Sequence, residues 1–354
     1  NTLVDNEYYS GVNNSTLEIL TTPISFNNIV FRALVDREGN GCVIYSTECN
    51  IAVDPVPEVI VPTPLEECDD DYNGITSFNL TDKDTEILAG QTGITVSYHE
   101  VEDDAETGDN PITDPYLNTT ADSQTIYVRL VDDTTACYAT TTLELIVNPI
   151  PEVIIPPVYE VCDDDYDGEG TFDLTSLDDA ILDGQTGISV TYHETQEDAD
   201  AGSNVLSSPY NNTSLDAQEL IVRLEDNTTG CYATTTQGLI VNPLAVIEVA
   251  DYELCDYNNS GDMIEVFDIT TKNDEIINGQ NVTLSYFSSF ADSQNNTNPL
   301  TNAQLTSYSN SFAPSEEIFI RLEQNATGCL TFGSFNVTVN PLPNVILNTD
   351  LVQC

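Results

Sequence analysis

The stretch Thr125-Ile-Tyr-Val-Arg-Leu-Val131 alternates side chains so that Ile126, Val128 and Leu130 share one face. A period of two marks a half-buried β-strand. A turn at 133–136 and a second apolar run ending at Val147-Asn148-Pro149 complete the pattern of an antiparallel hairpin. The hairpin recurs twice. Leu220, Val222 and Leu224 lead through 227–230 to Val241-Asn242-Pro243, and Ile318, Ile320 and Leu322 lead through 325–328 to Val339-Asn340-Pro341.

With the variant Val53-Asp54-Pro55, the closing prolines lie 94, 94 and 98 residues apart. Other landmarks keep step: Cys68, Cys162 and Cys255 follow the proline by 12 or 13 residues, and Cys137, Cys231 and Cys329 precede the next one by 12. Gly90-Gln91, Gly184-Gln185 and Gly279-Gln280 correspond as well. A fixed long period signals a tandem array, in which each unit is one small domain. The predicted units are 55–148, 149–242 and 243–340, preceded by a partial domain at 1–54 and followed by the start of another at 341–354. Cys354 stands where the next unit's first cysteine belongs, so the chain reads as a window on a longer array.

Strands are also predicted at 94–99 and 188–193, and short helical turns at 176–183 (capped by Thr175) and 196–201 (capped by Thr195). Many short strands in units of this size predict an all-β chain of tandem immunoglobulin-like β-sandwich domains. The links Asn148-Pro-Ile-Pro151 and Asn340-Pro-Leu-Pro343 restrict rotation. An elongated rod of beads, each on the order of 35 Å long, is the expectation.

Sixty acidic residues oppose seven basic ones, for a formal charge of −53. Nucleic acid is excluded as a partner, because phosphate binding needs clustered Lys and Arg. No apolar run is long enough to insert in a membrane. The 40% hydrophobic content and the 17 Tyr and 11 Phe are enough to build a core, which excludes a disordered chain.

Each unit's early cysteine is followed by an acidic loop. Asp163, Asp165 and Asp167 precede Gly168; the counterparts are Asp69, Asp71 and Asn73 before Gly74, and Asp256, Asn258 and Ser260 before Gly261. Oxygen donors at positions 1, 3 and 5 with Gly at 6 match the first half of a calcium loop, predicting one Ca²⁺ per complete repeat. The bidentate Glu at position 12 is missing, because Leu80 and Leu174 stand there. Asp132 and Asp226 are candidates for completing the shell. An acidic turn exposed to water is the alternative, and the third loop is the weakest match.

One early and one late cysteine per unit predict disulfides Cys68–Cys137, Cys162–Cys231 and Cys255–Cys329, each closing about 70 residues and adding roughly 4 kcal/mol. No CxxC or Cys/His spacing supports a zinc alternative. Cys42 pairs either upstream or with Cys49. Arg32, Arg129, Arg223 and Arg321 recur at one strand position opposite the apolar stripe, predicting a structural ion pair with a carboxylate. His99 and His193 are replaced by Phe287 in the third unit, which marks a packing slot rather than an acid–base site. No nucleophile–His arrangement, HExxH or phosphate loop occurs, so no enzyme is expected. Sequons at Asn118, Asn227 and Asn325 leave glycosylation open.

Cys162-Asp-Asp-Asp-Tyr-Asp-Gly168, Thr171-Phe-Asp-Leu174, Gly184-Gln-Thr-Gly187, Val190-Thr-Tyr-His-Glu194 and Cys231-Tyr-Ala-Thr-Thr235 together resemble tandem repeats of very large Bacteroidota surface proteins. These are chiefly flavobacterial and include gliding-motility adhesins of the SprB type. The resemblance covers about 55–340. It implies type IX secretion, display on the cell surface, and a stalk in adhesion or gliding. Its partners would be adjacent repeats, surface polysaccharide, the substratum or other copies. A self-assembling filament or sheath and a polysaccharide-binding module are the alternatives.

Overall fold

The computed structural model describes residues 2–36 and 41–343. Cys354 and most of the expected fourth unit therefore lie outside the described residues. The chain divides into two compact units, one holding the first repeat and the other the second and third.

In the first repeat the hairpin Ser123–Asp132 with Tyr138–Asn148 forms the centre of a four-stranded sheet. Ile94–His99 pairs antiparallel with its first strand, and Leu65–Cys68 runs parallel to its second. The same topology returns in the other two repeats, built on Ala217–Asp226 with Tyr232–Asn242 and on Ser315–Gln324 with Leu330–Asn340. Opposite each sheet lies a ladder of two short strands, such as Ser77–Phe78 with Tyr116–Leu117, beside a helical turn. The result is a small immunoglobulin-like sandwich repeated three times.

The alternation that predicted the hairpin also fills the core. Ile126, Val128 and Leu130 are fully buried with Leu143, Leu145, Phe78, Leu80 and Ile87, and the second and third repeats bury the equivalent residues. Tyr98 spans this core, and its hydroxyl donates to Asp84 Oδ1 at 2.6 Å and to the Leu80 carbonyl. Burial and then the Asp84 hydrogen bond raise its phenol well above the usual range.

The helical turn expected at 176–183 begins earlier and is compound. A 3-10 turn, Leu174–Leu177, runs into an α-helix, Asp178–Leu182, which ends with Asp183 in the left-handed region. Thr175 does not cap it. Its hydroxyl donates to Asp173, the residue that precedes the first turn. Thr195 caps Gln196–Ala201, accepting the Asp198 amide.

The described residues of 1–54 form short ladders, among them Tyr9–Ser10 with Glu18–Ile19 and Leu34–Asp36 with Val43–Tyr45. Tyr8, Tyr9, Phe26 and Phe31 cluster there, and Tyr9 is the one buried hydrophobic residue described in this segment.

Candidate functional site

The cysteines stand at opposite ends of one strand. Cys68 ends the first strand of its repeat and is in register with Asn148, the last residue of Tyr138–Asn148. Cys137 immediately precedes that strand. Eleven strand residues at roughly 3.3 Å each put about 36 Å between the two positions. A disulfide needs Cα atoms about 5.5 Å apart. The within-repeat pairs Cys68–Cys137, Cys162–Cys231 and Cys255–Cys329 are therefore sterically excluded. The bonds instead run from one repeat to the next: Cys68 to Cys231 and Cys162 to Cys329, each with a Cα–Cα distance of 5.6 Å. Cys137 and Cys255 remain thiols, and Cys255 is exposed.

Each acidic loop starts beside the early cysteine. Asp69 is buried, its Oδ1 accepting the Asp71 amide and its Oδ2 the Gly74 amide. Asp163 repeats this with Asp165, Tyr166 and Gly168. Burial pushes both carboxyls up, but these amides outweigh it and hold both below the usual carboxylate range. Asp165 moves the other way, raised by burial and then by the charge of Asp167. The structure gathers Asp69, Asp70 and Asp71, and likewise Asp163, Asp164 and Asp165, with carboxylate oxygens within 4.8 Å of one another. Asn73 and Asp167 instead accept the amides two residues on, Ile75 and Glu169. Asp132 belongs to the turn at the far end of the strand, where it accepts the Thr134 and Thr135 amides, and Asp226 likewise accepts Thr228. Neither completes the loop of its own repeat.

The third loop is two residues longer between its first Asp and the following Phe, and this splits a task. In the first repeat, the Gly74 amide donates to Asp69 and its carbonyl accepts Asn118 Nδ2. In the third, the Gly261 amide donates to Asp256, while the Met263 carbonyl accepts Asn310 Nδ2. Asn118 is buried and fully hydrogen-bonded, which excludes a glycan on it in the folded chain.

The joint between the second and third repeats lies in one compact unit. Tyr166, in the second acidic loop, donates to the Ala245 carbonyl in the link, and Ala245 is itself part of the third core. Gln324 donates to the Pro243 carbonyl. The Gly-Gln motif, whose role the sequence left unstated, holds the link in every repeat. Gln91, Gln185 and Gln280 each accept the amide and donate to the carbonyl of one link residue, Glu58, Glu152 and Val246 respectively. The Asn of each Asn-Pro donates to a glutamate of the first strand, at 2.9–3.0 Å.

The repeated arginines find several partners besides carboxylates. Arg129 donates to the Ala105 and Glu106 carbonyls and stacks 3.7 Å over Tyr138; no carboxylate pairs with it among the described ion pairs. Arg223 makes the same helix-end and ring contacts, with Ala199, Asp200 and Tyr232, and adds Glu225 on its own strand. Arg321 pairs with Glu323, and Arg32 lies over Tyr45. Where a carboxylate is present it lies two residues along the same strand, and in the first two repeats the arginine fastens a helix end to the sheet through backbone carbonyls. His99, His193 and Phe287 are all fully buried, and each histidine hydrogen-bonds a carbonyl and a hydroxyl.

Fold and site define a chain of immunoglobulin-like sandwiches bonded covalently from each to the next. By sequence it belongs to the family described as the Flavobacterium inter-domain disulphide bond domain, which matches at 64–151, 158–245 and 251–343. No curated protein matches the chain. Among solved structures, the titin I-band fragment I67–I69 aligns over 79% of this chain and 96% of its own, at 11% identity and a TM-score of 0.30. Drosophila N-cadherin EC1–4 aligns over 95% and 90%, at 14% identity and a TM-score of 0.18. The sialic acid binding region of a Streptococcus sanguinis adhesin aligns over 81% and 78%, at 13% and 0.20. Scores this low carry no argument about function.

Proposed function

We propose that this chain is a non-enzymatic stalk segment of a large bacterial cell-surface adhesin, serving adhesion or gliding motility after type IX secretion. The observation that carries it is the pair of overlapping bonds, which span 163 and 167 residues and share the segment from Cys162 to Cys231. Bonds that join successive domains and overlap in sequence limit extension under tension, which is the demand on a tether. They persist in an oxidising compartment, which supports a location outside the cytoplasm. Calcium at the acidic loops, beside the same cysteines, adds stiffness at the joints in this reading.

Two measurements test it. Surface proteolysis of intact cells, followed by non-reducing peptide mapping, should release this segment with Cys68–Cys231 and Cys162–Cys329 oxidised; recovering it reduced from the cell interior refutes the reading. Light scattering of the oxidised chain should give a monomer, whereas concentration-dependent growth would favour a filament subunit.

A further inference from the structure

We infer that the third acidic loop, the poorest match to a calcium motif, is the chain's strongest divalent-cation site, with Asp256 and Glu265 as its carboxylate ligands. The inference rests on reading the loops as cation sites, and not on the disulfide-linked stalk.

Asp256 is 1% exposed, and its Oδ1 has no hydrogen-bond partner. Only Oδ2 is engaged, by the Gly261 amide. The equivalent oxygens of Asp69 and Asp163 are both capped by amides of their own loops. What displaces those amides in the third repeat is Glu265. It is buried, and it occupies the place of Thr76 and Gly170, because each of the three takes its backbone amide to the same buried asparagine position. Glu265 Oε1 accepts the Tyr257 and Asn258 amides, and Oε2 accepts Asn258 Nδ2. The side-chain oxygen of the same Asn258 amide is a candidate further ligand.

Two buried carboxylates thus hold the amides of Tyr257, Asn258 and Gly261, and one oxygen has nothing to bond. Burying a carboxylate without a counter-charge is strongly unfavourable. Among the described ion pairs, none reaches either carboxylate. Among the described residues, Lys83, Arg223, Lys272 and Arg321 pair with Glu86, Glu225, Glu275 and Glu323, while Arg32 and Arg129 lie over tyrosines. An external cation would supply the positive charge that the buried carboxylates lack. An all-oxygen donor set of carboxylates and amide carbonyls fits Ca²⁺.

Hydrogen exchange on the full, metal-stripped chain, with and without CaCl₂, tests this without altering a residue. Calcium should slow exchange at least about tenfold in peptides covering 255–266, more than in 68–76 or 162–170. Glu265→Gln should abolish that protection while leaving exchange in the strand Ser315–Gln324 unchanged, which shows the variant is folded. Protection confined to 68–76 or 162–170 overturns the inference and leaves those loops as cation sites. No protection in any loop overturns the cation reading altogether, whereas the disulfides, mapped in the same unreduced digest, test the stalk separately.

Discussion

Pulling the chain from its ends gives a result set by the bond connectivity. Between Cys68 and Cys329 lie 261 residues, which at roughly 3.5 Å each extend to about 910 Å once unfolded. With both bonds closed the shortest covalent path is Cys68 to Cys231, back along the chain to Cys162, and across to Cys329. That path holds only 69 residues, so the section cannot exceed about 240 Å. Removing Cys231 leaves the 94 residues from Cys68 to Cys162 as the limit, about 330 Å. Bonds closed within repeats would instead leave only the two links, near 170 Å. Single-molecule force spectroscopy of the wild type, of Cys231→Ser, and of both under reductant reads these lengths directly. Reduction should add about 670 Å to the wild type. A wild-type limit near 170 Å, or no gain on reduction, refutes the inter-repeat connectivity.

Other perturbations act inside single domains. Asp178 accepts the Tyr192 hydroxyl, and its carboxyl is raised by burial and by neighbouring Asp179 and Asp173. A raised folded-state value means the charged form costs stability above it, and Asn273 does the same task uncharged for Tyr286. Asp178→Asn should therefore raise the Tm at pH 7, with the gain fading as pH falls below the carboxyl's folded value; a lower Tm at pH 7 contradicts the sign. A Cβ on Gly170 would stand 2.6 Å from Val161 Cγ2 and 3.0 Å from Val241 Cγ2. Gly170→Ala should cost about 1–3 kcal/mol in urea unfolding, and Val161→Ala in the same chain should recover part of it. Arg223→Ala removes the helix-end carbonyl bonds and the stacking 3.5 Å over Tyr232. Denaturation should show a loss of about 2 kcal/mol, and Lys should recover less than half, since it lacks the flat guanidinium.

Much of this molecule is legible locally. The alternation at Ile126, Val128 and Leu130 identifies both strand and buried face, because successive side chains of an extended backbone point to opposite sides. The hairpin turns, the Thr195 cap and the placement of acidic loops after each early cysteine follow equally from short-range spacing. The arginine was legible as an anchor but not its partners, since helix-end carbonyls and a tyrosine ring meet it only after the helix packs on the sheet. Glu265 escaped because it stands at position 10 of its loop, outside the 1-3-5 pattern, although a carboxylate there in only one of three otherwise parallel loops was a readable signal.

The sequence by itself determined the repeat and the β-sandwich class, both of which depend on periodicity along the chain. Only the tertiary structure decided which cysteine bonds to which. The first strand of each repeat lies parallel to the last, carrying its cysteine to the Asn-Pro end, while the other cysteine stays at the turn. Strand direction and register are properties of the assembled sheet, and a separation of about 36 Å within each domain leaves the neighbouring domain as the partner.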